Sequence, residues 1–486
     1  MLNRISQSWT YASDVQRFFA VYAAAMLLTL FVGIAAEWYF LAAVPAVLLL
    51  IFLTVVDFRA VFFLMLACIP LSTELVLPNG FGTDVPSEPL MIGLMLVGIL
   101  YAIRYGRTLQ SNFIQHPITL LLFVHLAWIA FSTFTSSELI ISVKFLLAKI
   151  WYVAAFFFVA GLMLKTPRDF KLFFWVIFIP LLFTVVTTVI RHAAFGFSFK
   201  DVYQVLHPFY RNHVAYASII VVFMPYVWFL RLEYNKGSWK RNAIFWSLPI
   251  LLLAVQMSYT RAAYVALFIA IGAYFIIRLR WTKWILLLAA LGTVLGLTFM
   301  ATQNRYLEYA PNFETTVSHQ DFNNLITATY EMEDISTMER LYRWVAGFQM
   351  SIEKPLVGFG PGNFYTFYKS YTVTSFQTYV SDNPDQSGIH SYYLMTMVEQ
   401  GVPGLLLFVL LLAYALLHGE QLYHQTPQAS DKRMVMAVLL SLIVIAALLL
   451  INDLIETDKI GSFFFLALAL LVNLDIKHRM AHEAGD

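Results

Sequence analysis

The chain has 486 residues, of which 60% are hydrophobic and only 12% charged, and its mean hydropathy is +0.71. Soluble domains carry about 25% charged residues, so a water-soluble globule is excluded and the class is polytopic membrane protein. A formal net charge of +2 gives no basis for nucleic-acid binding, and the single cysteine, Cys68, excludes disulfides within the chain and argues against a cysteine metal site.

A hydrocarbon core about 30 Å thick needs about 20 apolar residues per helix. The first 17 residues are polar and mixed. The apolar span after them is too long for a cleaved signal peptide and reads as a retained membrane helix. Spans are predicted near 18–36, 39–56, 60–77, 89–103, 118–134, 145–163, 171–190, 214–230, 243–258, 262–278, 284–301, 401–417, 434–451 and 460–475. The expected fold is an all-α membrane helical bundle of about 12–14 transmembrane helices. The third span contains Pro70 and runs into Ser72, Thr73 and Glu74, which marks it as a candidate re-entrant segment. Three regions follow: a bundle over 1–301, a large loop over 302–400, and helices with a short tail over 401–486.

Lysine and arginine in short loops set orientation. With the N-terminus in the cytoplasm, 19 of the 31 basic residues fall on the cytoplasmic side, including Arg104, Lys171, Arg231, Lys240, Arg278 and Arg433. Both termini are then cytoplasmic and the long loop lies on the outer face. The outer basic residues concentrate at 191–213, at Arg261 and in the long loop, where topology alone would favour neutral side chains.

The loop is the one long polar interval, with ten Asp and Glu against five Lys and Arg between Thr302 and Ile389. Within it, Met338, Leu341, Tyr342, Val345 and Phe348 repeat at helical spacing, and Pro355 follows where a helix would stop. Arg340 and Trp344 share a face of that helix at i, i+4. Arg343 is a second candidate there, although a charge on an amphipathic helix is usually solvated. Arg211-Asn212-His213 opens the eighth span and Arg261 sits in a very short outer hairpin. Either arginine could be a headgroup anchor. An anion contact is the functional alternative, because the planar guanidinium binds phosphate through two parallel bonds. The run Gly358-Phe359-Gly360-Pro361-Gly362 is neither a Walker loop nor a dinucleotide fingerprint. Its glycines could simply permit close backbone approach.

His390 follows a turn-rich stretch, 383–388, and opens the twelfth span on the outer side. Histidine titrates near neutrality and is the commonest general base, though a lone histidine is more often structural. Glu399 lies more than two helical turns further on. No HExxH or cysteine cluster is present, so a protein-bound metal is disfavoured.

Taken in order, Arg-Asn-His at a helix start, Ser-x-Thr-Arg-Ala at 258–262, Arg-x-x-x-Trp at 340–344, the glycine run, His-x-x-Tyr-Leu and Glu-x-Gly-x-x-Gly resemble the O-antigen ligase and O-antigen polymerase superfamily. The resemblance is firmest from Phe209 to Gly404. It implies a bacterial inner-membrane glycosyltransferase with a large periplasmic loop. The implied donor is a glycan on undecaprenyl diphosphate, passed without metal or other cofactor to a glycolipid or glycan acceptor. It further implies His390 as general base and Arg261, Arg340 and Arg211 as the diphosphate contacts, with His213, Arg343, Gly360 and Glu399 in support. The family commonly has His-Asn where this chain has His390-Ser391. A ligase joining a finished glycan to a lipid A core, a polymerase joining repeat units, and a transporter for an anionic polysaccharide all remain open at this point. Against transport stand the absence of an internal repeat and the concentration of charge on one face.

Overall fold

The computed structural model describes residues 14–36, 41, 44–76, 82–106, 111–310, 335–378, 381–383 and 387–483. Arg4, Arg107 and part of the turn at 383–388 lie outside them. Met1–Phe63 and Leu64–Asp486 form separate compact units. In the first, α1 (Asp14–Ala35) and α2 (Val44–Val56) are joined by a bond from the Tyr22 hydroxyl to the Pro45 carbonyl at 3.1 Å.

Helix α3 (Phe58–Cys68) carries the chain into the second unit and ends in a 3-10 turn over Ile69–Leu71. Fourteen residues rise about 21 Å, short of the hydrocarbon core. An antiparallel hairpin of β1 (Thr73–Val76) and β2 (Gly82–Val85) follows, with Thr73 opposite Val85. The predicted third span therefore stops six residues early, at Leu71 rather than at 77. Pro70 forces that stop because its ring cannot continue the hydrogen-bond ladder. Two carbonyls at this end of the segment are satisfied by Lys459, whose ammonium donates to Ile69 O at 3.2 Å and Ser72 O at 2.9 Å.

The helices after the hairpin are α4 (Ser87–Tyr105), α5 (Pro117–Phe134), α6 (Leu139–Val153, continued by a π-turn to Val159) and α7 (Pro167–Ala194). Next come α8 (His213–Leu230), α9 (Trp239–Met257), α10 (Arg261–Arg278) and α11 (Thr282–Ala301). Then follow α12 (Ile335–Glu353), α13 (Tyr392–Gln425), α14 (Ala429–Leu448) and α15 (Asp458–Glu483). Nine helices among the described residues are long and apolar enough to cross a membrane, and the fold is an all-α polytopic bundle. The predicted spans at 243–258 and 434–451 are helical too, as α9 and α14.

Helices α8, α14 and α15 form the centre. They are apolar on every side, as interior helices must be, and residues such as Val221, Val222, Leu439 and Leu468 are fully buried. Helix α11 is the opposite case: its apolar surface is exposed along its length, and its first residue is tied in by a bond from the Thr282 hydroxyl to Glu420 at 2.5 Å.

One end of this unit gathers the β-hairpin, the α5–α6 turn, the 195–212 segment, the α9–α10 turn, the start of α13 and the α14–α15 turn. Bonds from Ser137 N to Phe359 O (2.9 Å), from the Tyr259 hydroxyl to Phe197 O (2.6 Å) and from Tyr392 N to Leu449 O (3.0 Å) hold it together. The other end is fastened by Arg433 to Glu233 (2.7 Å) and Lys477 to Asp431 (2.8 Å).

Candidate functional site

His390 lies at the first end, in the two-residue step between the loop and α13. Its φ of 57° is left-handed, a region that a non-glycine residue occupies only when its surroundings over-determine it. Here they do. On one side α12 grips the preceding carbonyls: Arg343 Nη1 donates to Gly388 O at 3.0 Å and Trp344 Nε1 to Ile389 O at 3.0 Å. On the other side Tyr392 N donates to both Leu449 O (3.0 Å) and Asn452 O (3.1 Å). Ser391 caps α13, its hydroxyl accepting from Leu394 N at 3.5 Å. Asparagine and serine rank alike as helix N-caps, which gives a physical reason why Ser391 can stand where the resemblance leads one to expect Asn.

The amphipathic helix expected in the loop is α12, and it brings Arg340 and Arg343 to His390. Burial, then Arg340, then Arg343 push the imidazole pKa down to about 3. His390 is therefore neutral across the physiological range. Arg343 is buried and held by Glu339 at 3.3 Å. Glu339 in turn accepts from Thr378 and, at 2.6 Å, from Ser381. Arg343 is thus a buried framework residue rather than a solvated one. Arg340 is half-buried.

Arg211, His213 and Arg261 form a second group at the same end. Asn212 caps α8 through a bond from Ala215 N at 2.8 Å. Thr260, immediately before Arg261, donates its hydroxyl to His213 O at 3.1 Å, so the N-termini of α8 and α10 lie side by side. Aligned peptide dipoles make such ends favourable for anions. Arg211 is 68% exposed and stands 3.6 Å from Glu74 on β1. A loose surface pair of this kind leaves the guanidinium accessible.

Gly360 and Glu399 do something other than touch His390. A Cβ on Gly360, whose φ is 101°, would collide with Ser136 Oγ. The Gly360 N–H donates to Glu399 O at 2.9 Å. The Glu399 carboxylate accepts from Gly362 N (2.8 Å) and Phe364 N (3.2 Å). Together they dock the glycine run between the α5–α6 turn and α13.

The α14–α15 turn supplies residues that spacing and hydropathy did not single out. The Asp453 carboxylate lies so close to Gly388 that a Cβ there would collide with its Oδ2. Burial and then Glu456 push the Asp453 carboxyl up, while Arg343 draws it down. Glu456 accepts from Lys149 Nζ at 2.7 Å, and Lys149 is ringed by Phe145, Tyr392 and Phe465 at 5.2–5.9 Å. Two signals were available: a lysine inside an apolar span, and two acids in an outer turn of a chain that is only 12% charged.

One potential metal-ligand group occurs among the described residues, His116, His418 and Asp475, at the end opposite His390. His116 Nδ1 accepts from Ile118 N at 3.2 Å, which leaves Nε2 as the donor to Asp475 at 3.0 Å. Arg479 shares that carboxylate at 2.7 Å. The group is a hydrogen-bonded clamp between α5, α13 and α15.

No curated protein matches the chain. Residues 246–409 match the family model described as O-antigen ligase. That stretch runs from α9 into α13 and contains Arg261, Arg340, Arg343, the glycine run and His390. Over this stretch the chain is similar to the O-antigen ligase family.

Proposed function

We propose that the protein is a ligase that transfers a glycan from undecaprenyl diphosphate to a lipid A core or similar acceptor, with His390 as general base. The observation that carries this reading is the neutral, two-sidedly clamped His390 beside Arg340 and Arg343. In the reaction the acceptor hydroxyl attacks the anomeric carbon and its proton passes to the imidazole. The anomeric C–O bond breaks and the diphosphate leaves with the electron pair, inverting the centre. The negative charge that grows on the leaving group is met by Arg340, Arg261 and Arg211. Fixed charges aimed at the place where charge develops usually supply most of the rate enhancement in such reactions.

A pKa of about 3 makes a free imidazole a weak base. A bound diphosphate would offset the arginine charges that depress it, so basicity would rise when donor is present. The same reading keeps the regions at 1–301, 302–400 and 401–486, the loop periplasmic, and both termini cytoplasmic at the inner membrane.

The deciding experiment is the surface-glycan profile of a deletion strain complemented with wild type or His390→Ala. Long chains stranded on the lipid carrier above a bare core support the ligase. Single repeats capping the core would instead make the protein a polymerase, and an unchanged profile would overturn both.

A further inference from the structure

The end of the bundle remote from His390 carries a cationic, tryptophan-rich surface that the transfer reaction leaves unused. Trp228 lies in the last turn of α8, and the chain turns through Arg231, Tyr234, Lys236 and Gly237 before α9 opens with Trp239, Lys240 and Arg241. The turn is rigid. Ser238 caps α9 through Arg241 N at 3.3 Å, Arg241 donates to Tyr234 O at 3.1 Å, and Trp175 donates to the Tyr234 hydroxyl at 2.6 Å. Cations lie over the rings: Arg231 is 3.9 Å from the Trp228 centroid, and Lys171 and Lys240 are 5.6 and 5.8 Å from that of Tyr234.

The neighbouring carboxylates are already engaged. Glu233 accepts from Arg433 at 2.7 Å and from Ser430 at 2.6 Å, and Asp169 closes the capping box of α7. Lys236, Lys240 and Trp239 are exposed, Trp239 by 69%. Tryptophan of this kind sits at headgroup depth, which fixes where the ammonium groups lie.

We propose that the 231–241 turn, with Lys171, binds the phosphate headgroup of an anionic membrane phospholipid. Each cation near a membrane surface contributes about 1 kcal/mol toward anionic lipid, a factor of about five in binding.

The test uses the full chain in neutral detergent, offered phosphatidylglycerol or phosphatidylcholine, with retained lipid read by native mass spectrometry. Wild type should retain the anionic lipid selectively. Lys236→Gln/Lys240→Gln should lose about 25-fold of that retention, with its melting temperature in lipid-free detergent unchanged. Excess inorganic diphosphate should not displace the lipid from wild type. Equal retention of the two lipids, or undiminished retention by the double variant, would overturn the proposal. Displacement by diphosphate would also overturn it, by assigning the turn to free phosphates.

Discussion

His390 is pinned through the backbone on either side of it and kept neutral first by burial and then by Arg340 and Arg343, and the two facts lead to separate expectations. His390→Ala should abolish transfer while donor binding, measured with a labelled lipid-linked glycan, stays within about twofold of wild type. Retained turnover would remove His390 from the mechanism. The acid limb of kcat/KM reports the free enzyme and that of kcat the complex. With the free imidazole held near 3, kcat/KM should show no His390 limb between about pH 5 and 8. If bound diphosphate offsets the arginine charges, protonation in the donor complex begins at higher pH, and kcat should fall first as pH drops. Arg340→Gln removes a depressing charge, so its kcat/KM limb should move upward. Coincident limbs in both proteins would refute the coupling. Ser391 gives the mildest test: Ser391→Asn should be near neutral, whereas Ser391→Ala should cost about 1 kcal/mol of helix capping, read as a lower melting temperature.

Among the elements, the glycine run and the α14–α15 turn act as two braces on the segment that carries His390. A side chain at Gly360 meets both a positive φ and the Ser136 hydroxyl. Gly360→Ala should therefore destabilise by more than about 1 kcal/mol, seen as increased proteolysis of the 355–364 stretch. Lys149→Met should strand Glu456. The loss should fall below the roughly 3–5 kcal/mol of a fully buried pair because Glu456 is 28% exposed. The span pattern and the α12 helix were legible because hydropathy and helical periodicity are local signals, whereas Arg340 and His390 were brought together only by the family resemblance. The role of Asp453 was not legible, because its contact with Gly388 spans 65 residues and leaves no trace in spacing. Glu399 is a second such case: its position nine residues past His390 says nothing of a carboxylate turned toward Gly362 and Phe364. Pro70 sat between these cases, announcing a break in α3 without revealing the hairpin beyond it.

At the scale of the whole molecule, the two ends of the bundle are built differently: one from backbone clamps around a histidine, the other from ion pairs and tryptophans. If arginines alone carry the leaving-group charge, transfer measured in excess chelator should match the untreated rate; a loss restored by magnesium would contradict that assignment. Proteoliposomes of defined orientation should transfer only when the α12–His390 end faces the donor compartment. The backbone clamp on His390 has one more effect under the proposed reaction. A base carried on a free loop could follow its substrate, whereas this one stays where α12 and the α14–α15 turn hold it. Acceptor choice then becomes a matter of reach. Of all the hydroxyls on a glycan, the one deprotonated is the one whose length and linkage deliver it to a stationary nitrogen.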